Sequence, residues 1–404
     1  MARRIFYGWW MVGLCLLVAL IGWGLGLFGS SVYLHALVAG GVASTATVSG
    51  AITLFFLIGA LVQLGVGPAM ARLGPGPVVL AGAMAMAAGV GGIGQATGPS
   101  SVYAAFALIG LGWACLSTTA VSTALAPWFD RHQGRAVALA LIGASLANML
   151  AAPALLAAIT TLGFAMAMAV TAGGALVLLG PVAVLMRRNP AVIGQVPDGT
   201  PAATSRSDDA TRWRRADALA TPALRSVIIA FSLGLLVQIG LITHHVSLLA
   251  PVLGASGAAG VVTATGASAL AGRLFLAQFA DRMDVRVMAI AVLLLGTASL
   301  AAMAAAPGPT TLSVASVAFG FTIGNVTTLS PIIVRREFGA DSFGAIYGAA
   351  ASVIQLISAL GPAAFGVLRD LSGGYALPLG LGAGCDLIAA AALLWGRHAD
   401  HSRP

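Results

Sequence analysis

TATGASALAGRLFLAQFADRMDVR, residues 263–286, consists of apolar and small side chains with one arginine inside it. Asp281 and Arg282 close the stretch with a charged turn. If Asp281 marks the aqueous end of a helix, Arg273 lies 281 − 273 = 8 residues further in. At 1.5 Å per residue that is roughly 12 Å inside a hydrocarbon layer about 30 Å thick. A cation at that depth costs about 2.5 to 3.5 kcal/mol on insertion scales, so it is expected to face a wet cavity or a partner anion. The planar guanidinium fork matches a carboxylate bidentately. Arg273 is therefore the leading candidate for holding the carboxylate of an organic anion.

The rest of the chain has the same character. It is 59% hydrophobic and 8% charged over 404 residues, with a mean hydropathy of +0.98. A soluble globular domain does not have that composition. Apolar segments recur from end to end and predict twelve spans. They run roughly over 9–34, 46–70, 77–97, 101–128, 135–159, 163–186, 223–250, 257–280, 286–306, 310–334, 342–368 and 376–396. Arg3 and Arg4 precede a long apolar run with no small-x-small cleavage site, which reads as an uncleaved first span. Eighteen of the twenty arginines then fall at one face, expected to be cytoplasmic, as are both termini. Arg369 alone lies on the other side, beside Asp370, and Arg273 lies within the membrane. The net charge of +8 follows from this loop bias and not from a nucleic-acid surface. An inner or plasma membrane location is the expectation.

Landmarks repeat at nearly one offset. Ala71-Arg72 matches Asp281-Arg282, 281 − 71 = 210; Phe129 matches Phe338, 338 − 129 = 209; Pro153 matches Pro362, 362 − 153 = 209. The prediction is an all-α membrane protein of twelve transmembrane helices in two pseudo-symmetric six-helix halves, residues 1–186 and 223–404. The join, 187–222, is polar and lacks apolar periodicity, so it is expected to be a cytoplasmic linker. Parallel repeats of this kind build transporters whose site lies near the midplane.

The stretch ADRMDVR is similar to the loop motif of the major facilitator superfamily. The first-half copy keeps Gly67, Arg72 and Gly74 but has Ala71 in place of the acid. FYGWW at residues 6–10, WFDRHQGRAVALALIGAS at 128–145 and REFGADSFGAIYG at 336–348 resemble its monocarboxylate transporter and oxalate/formate antiporter branch. That resemblance implies a substrate-carboxylate contact for Arg273. It also marks departures. Ala269 stands where animal monocarboxylate transporters carry an Asp for proton coupling, and the chain has no lysine. Residues 344–357 offer only Tyr347 and Gln355 where the oxalate antiporters place a lysine. One buried cation suits one carboxylate, so a monoanion such as lactate or pyruvate is expected.

Further candidates follow from depth. Asn325 is ten residues before Arg335, and Thr119 eleven before Asp130, both at the level of Arg273. Each is a candidate to bind a substrate oxygen, or else makes an ordinary interhelical hydrogen bond. Phe28 is a candidate apolar wall. Of the adjacent His244 and His245, at most one faces a cavity, since neighbours on a helix point about 100° apart. Relatives favour His244, which is expected to bind substrate or carry a proton, its ordinary pKa being about 6.5. Asp386 is the one acid inside a span and a second proton-coupling candidate. Its alternative is a protonated side chain bonded to a neighbouring helix. Arg72, Arg131, Arg135, Asp281, Arg282 and Arg286 are expected to form an inner gate by linking helix ends between the bundles.

No Walker loop, HExxH motif or metal-spaced Cys and His cluster occurs, and Cys15, Cys115 and Cys385 are scattered. No enzyme activity, cofactor or metal is expected. The expectation is a secondary active transporter of small monocarboxylates, coupled to protons and working by alternating access, with a small organic anion, a proton and the lipid bilayer as its partners. No nucleic acid and no obligate protein partner are expected. The alternatives are an oxalate/formate-type dicarboxylate or anion exchanger, and a non-transporting membrane receptor.

Overall fold

The computed structural model describes residues 6–129, 132–188, 190, 194–199, 213–279 and 283–400. Helices account for nearly all of them, with no strand among the described residues. The chain divides into two compact units, 1–205 and 206–404.

In the first unit, α1 (Tyr7–Trp23), a π-helical turn (Gly24–Phe28) and α2 (Gly29–Ala39) run on as one crossing. α3 (Thr45–Leu73) starts at Ser44, whose hydroxyl accepts from the Thr47 amide at 3.2 Å. α4 (Pro75–Gly94) and α5 (Pro99–Leu116) both open on proline, which has no amide hydrogen to leave unsatisfied there. α5 breaks at Ser117 and continues as α6 (Thr118–Leu125). α7 (Gln133–Ala140), α8 (Ile142–Leu162) and α9 (Phe164–Leu185) complete the unit.

The second unit begins with α10 (Arg215–Ala220) and the long α11 (Pro222–Phe279). α12 (Val285–Ala305), α13 (Pro309–Phe338), α14 (Ala340–Ser358), α15 (Gly361–Ser372) and α16 (Ala376–Asp400) follow. Eleven helical stretches among the described residues are long and apolar enough to cross a membrane. One of them, Pro222–Leu276, has 55 residues, roughly 80 Å if straight. It bends at Gly254, with φ 71° and ψ 172°, a backbone conformation that essentially only glycine adopts. Residues 222–253 and 255–279 are thus two arms and two crossings, which makes twelve. The protein is a multi-pass integral membrane protein.

Three boundaries differ from expectation. The first crossing extends to Ala39, because its glycines are absorbed in the π turn. The expected spans 101–128 and 342–368 are each two helices, broken at Ser117 and between Ser358 and Gly361. The matched prolines diverge as well. Pro153 lies inside α8, whereas Pro362 opens α15.

The repeat is visible in the packing of each unit. A Cβ on Gly110 of α5 would sit 2.7 Å from the Phe55 carbonyl oxygen of α3. A Cβ on Gly320 of α13 would sit under 3.0 Å from the Thr265 carbonyl oxygen of α11. Both pairs are related by the same offset, 320 − 110 = 210 and 265 − 55 = 210. Small residues let backbones approach within the bilayer, where helices gain little from the hydrophobic effect and must associate by close packing. Each unit also sets an aromatic side chain from the segment before its first crossing on a matched phenylalanine. Phe6 meets Phe129 at 5.5 Å, and Trp213 meets Phe338 at 5.3 Å.

Gly320→Leu should lower the thermal stability of the detergent-solubilised protein by about 1–3 kcal/mol, through overpacking against the backbone. Gly380→Leu, at a position with no atom within 4 Å of the new Cβ, should leave the melting midpoint unchanged.

Candidate functional site

Arg273 lies on the second arm of α11 and is half-buried. Its position is set by glycine. A Cβ on Gly324 of α13 would be 2.5 Å from Arg273 Cγ and 3.2 Å from its Nε. One residue earlier, a Cβ on Gly272 would be 2.9 Å from Asn325 Nδ2. The two candidates therefore share one interface, the second arm of α11 against α13. Asn325 is 1% exposed. Its Nδ2 donates to the Phe321 carbonyl at 2.8 Å. Its Oδ1 is buried and accepts no hydrogen bond from the described residues. Leaving such an acceptor unmet costs about 1–3 kcal/mol, which a donor arriving beside Arg273 would offset.

His244 is fully buried on the first arm of α11. Its Nε2 lies 3.1 Å from the Pro362 carbonyl of α15, and its Nδ1 lies 3.0 Å from the Tyr375 hydroxyl ahead of α16. A carbonyl only accepts, so Nε2 carries the hydrogen and Nδ1 accepts from Tyr375. Burial pushes the Tyr375 phenol up to about 12, which keeps that hydroxyl protonated at neutral pH. His245 Nε2 meets the Ser316 hydroxyl at 3.0 Å. Both histidines thus tie helices of the C-terminal unit together.

Asp386 of α16 is 4% exposed and fits against glycine. A Cβ on Gly296 of α12 would be 2.6 Å from its Oδ2, and one on Gly234 of α11 would be 3.9 Å from its Oδ1. Its Oδ1 has no hydrogen-bond partner among the described residues. The carboxyl is enclosed by the packing of its own unit and does not meet Arg273. In the N-terminal unit, Thr119 on α6 accepts a hydrogen bond from Gln63 Nε2 of α3. Phe28, in the π turn, sits 6.3 Å from Trp23, which in turn meets Trp113 at 4.9 Å. It belongs to an aromatic cluster of that unit.

The gate candidates are placed in part. Asp281, Arg282 and Arg131 lie outside the described residues. Arg72 is exposed, and Arg135 caps the Trp9 ring at 5.8 Å. Arg286 was expected to link the two bundles, but the structure ties its five donors within one. Nε and one terminal nitrogen grip both carboxylate oxygens of Glu337, at 2.5 and 2.9 Å. The other three hydrogens reach Ser226 Oγ, the Leu393 carbonyl and the Ala223 carbonyl, at 3.0, 3.2 and 3.0 Å. Arg286 thereby joins the ends of α11, α12, α13 and α16, and Arg397 adds a 3.0 Å pair to Asp284. The sequence reading missed Glu337 as a partner. One signal was present: it is the single glutamate of the chain.

A family model for the Major Facilitator Superfamily matches residues 12–362. Two solved structures have the same fold. Both are crystal structures of a bacterial homolog to the human lysosomal transporter Spinster, one inward-facing and occupied, the other inward-facing and unoccupied. The first has a TM-score of 0.70 at 14% identity, covering 100% of this chain and 98% of that one. The second has a TM-score of 0.69 at 13% identity, covering 98% and 96%. No curated protein matches the sequence.

Arg286→Leu should destabilise the protein by about 3–5 kcal/mol, because it strands the Glu337 carboxylate and three further acceptors. Arg286→Leu/Glu337→Leu should recover part of that loss. Thermal melts of the single and double variants make the comparison.

Proposed function

Since this chain belongs to the major facilitator superfamily, a family of alternating-access transporters, we propose that it carries small monocarboxylates of the lactate or pyruvate type, coupled to protons. The observation that carries the reading is the setting of Arg273. It is a half-buried guanidinium inside an apolar arm, pressed on Gly324 and next to Asn325. An ionisable residue inside a membrane span marks a substrate pathway, and an anion is the ligand that a guanidinium recognises. A carboxylate meets the fork with two parallel charge-assisted hydrogen bonds. The Asn325 Oδ1 then suits a hydroxyl of the same substrate. Tyr347, in the stretch where a second cation would serve a dicarboxylate, is bonded to Ser330 at 3.3 Å, which favours one carboxylate over two.

One carboxylate neutralises one arginine, and a co-transported proton leaves the loaded carrier electrically unchanged. We assign that proton to His244, with the arginine-rich helix ends facing the cytoplasm across a plasma membrane. His244 lies on the first arm of α11, the crossing before that of Arg273, and an imidazole is a group that can take up and release a proton. Taking up a proton turns Nδ1 from acceptor to donor and so rewrites its bond to Tyr375. In this scheme the proton changes how α11 is tied to α15 and α16.

Arg273→Lys keeps the charge and loses the fork. Lactate affinity measured by calorimetry should fall at least about tenfold, about 1.4 kcal/mol, at an unchanged melting midpoint. Near-normal affinity removes Arg273 from the site.

His244→Ala should abolish proteoliposome uptake driven by an inside-alkaline pH gradient, while exchange of labelled for unlabelled substrate survives better. Full gradient-driven uptake in that variant, together with its loss in Asp386→Asn, moves the coupling role to α16.

A further inference from the structure

Three crossings of the C-terminal unit end together on its arginine-rich side. The crossing of α12 starts at Val285, that of α13 ends at Phe338, and that of α16 ends at Arg397. Among these ends lies an open cleft of about 280 Å³. Its charged lining is Asp284, Arg286, Arg336, Glu337 and Arg397. Cleft and lining belong to one unit.

The five charges are not equivalent. Glu337 gives both carboxylate oxygens to Arg286, whose other donors are spent on α11 and α16. That pair is a closed floor without net charge. Asp284 caps α12, its Oδ1 accepting from the amides of Arg286 and Val287 at 2.8 and 3.3 Å. Its Oδ2 meets Arg397 at 3.0 Å, with 39% of the arginine and 45% of the aspartate side chain exposed. An ion pair so open to water is weak and gives way readily to a better partner. Arg336 is exposed on the same rim. Among the described residues, three arginines face two carboxylates, an excess of 3 − 2 = 1 positive charge. The excess rests on the rim, because the floor is neutral.

The surroundings are those of a membrane surface. Trp395, two residues before Arg397, is 50% exposed, and tryptophan gathers at the headgroup level of a bilayer. Inward from that end, α12 and α16 each carry an exposed apolar face. Val287 and Leu294 mark it on α12, Leu387 and Leu394 on α16, each pair seven residues apart.

We propose that this cleft binds the phosphate headgroup of an anionic phospholipid through Arg336 and Arg397. A phosphate accepts two parallel hydrogen bonds from a guanidinium fork, and Arg397 exchanges the exposed Asp284 carboxylate for it. Basic pockets between helix ends are suited to anionic headgroups for this reason. A zwitterionic headgroup brings its own cation to a rim that already has a positive excess. Free phosphate offers the same oxygens but no chains to lie along the apolar faces. A lipid seated here links the ends of α13 and α16, and by binding only the folded unit it stabilises it.

The test is the melting midpoint of the purified full chain in nonionic detergent, titrated with phosphatidylglycerol, phosphatidylcholine or inorganic phosphate. Phosphatidylglycerol should raise the midpoint saturably, and the other two should leave it near its starting value. In Arg336→Gln/Arg397→Gln the same response should need at least about tenfold more phosphatidylglycerol, since two charge-assisted contacts are lost. Arg335→Gln removes an equal charge from the next position of α13, outside the cleft lining, and should leave the response unchanged. Should the double variant melt early without lipid, Arg336→Gln alone, at an exposed position, decides. Equal responses to phosphatidylglycerol and phosphatidylcholine, or equal losses in the Arg335 and Arg336 variants, overturn the site. A response to inorganic phosphate as large as that to phosphatidylglycerol overturns the assignment to a lipid.

Discussion

The second arm of α11 and α13 approach each other backbone to backbone, and the placement of the charged centre depends on that contact. Gly272, Gly320 and Gly324 each face a carbonyl of the opposite helix, at distances that leave no room for a Cβ. Within a bilayer, such close packing supplies the association that the hydrophobic effect supplies in water. It also decides where a long side chain can go. Arg273 lies over Gly324 because nothing projects from that residue, and Asn325 is brought beside Gly272 for the same reason. A methyl group at Gly324 would displace the Arg273 side chain, and one at Gly272 would displace that of Asn325.

Arg286 and Arg273 of the C-terminal unit stand in different settings. Arg286 meets the single glutamate and three neutral acceptors, so every donor is used and the charge is balanced inside the fold. A guanidinium satisfied in that way is structural: it holds helix ends together and has nothing left for a ligand. Arg273 lies deeper, in an arm whose neighbours are glycine, alanine and leucine along with Asn325. Other buried polar residues of the unit are held within it. His244 and His245 are engaged by Tyr375, Pro362 and Ser316. Asp386 is set into space left by Gly296 and Gly234.

The repeat gives these local facts a wider meaning. Two units with matched backbone contacts present matched positions, but the side chains at those positions have diverged. Arg273 corresponds to Gln63, 273 − 63 = 210, and Asn325 corresponds to Cys115 at the same offset. The two units are alike in how their helices touch and unlike in the side chains they present at matched positions.

Much of this was legible in the residues alone, and the reason is periodicity. Hydrophobic segments of bilayer length and landmarks spaced by 209 or 210 are one-dimensional signals, and a rise of 1.5 Å per residue converts spacing into depth. The sequence by itself therefore determined an all-helical membrane protein with twelve crossings, and the shared depth of Arg273 and Asn325. Direction around a helix axis, and the partner met across it, are not one-dimensional. The Arg286 carboxylate partner is 51 residues away, and the Pro362 carbonyl facing His244 is 118 residues away. Only the tertiary structure decided that Arg286 binds within one bundle, that His244 faces α15 and Tyr375, and that Gln63 is held by Thr119. Those outcomes depend on which helices pack together and where glycine lets them touch.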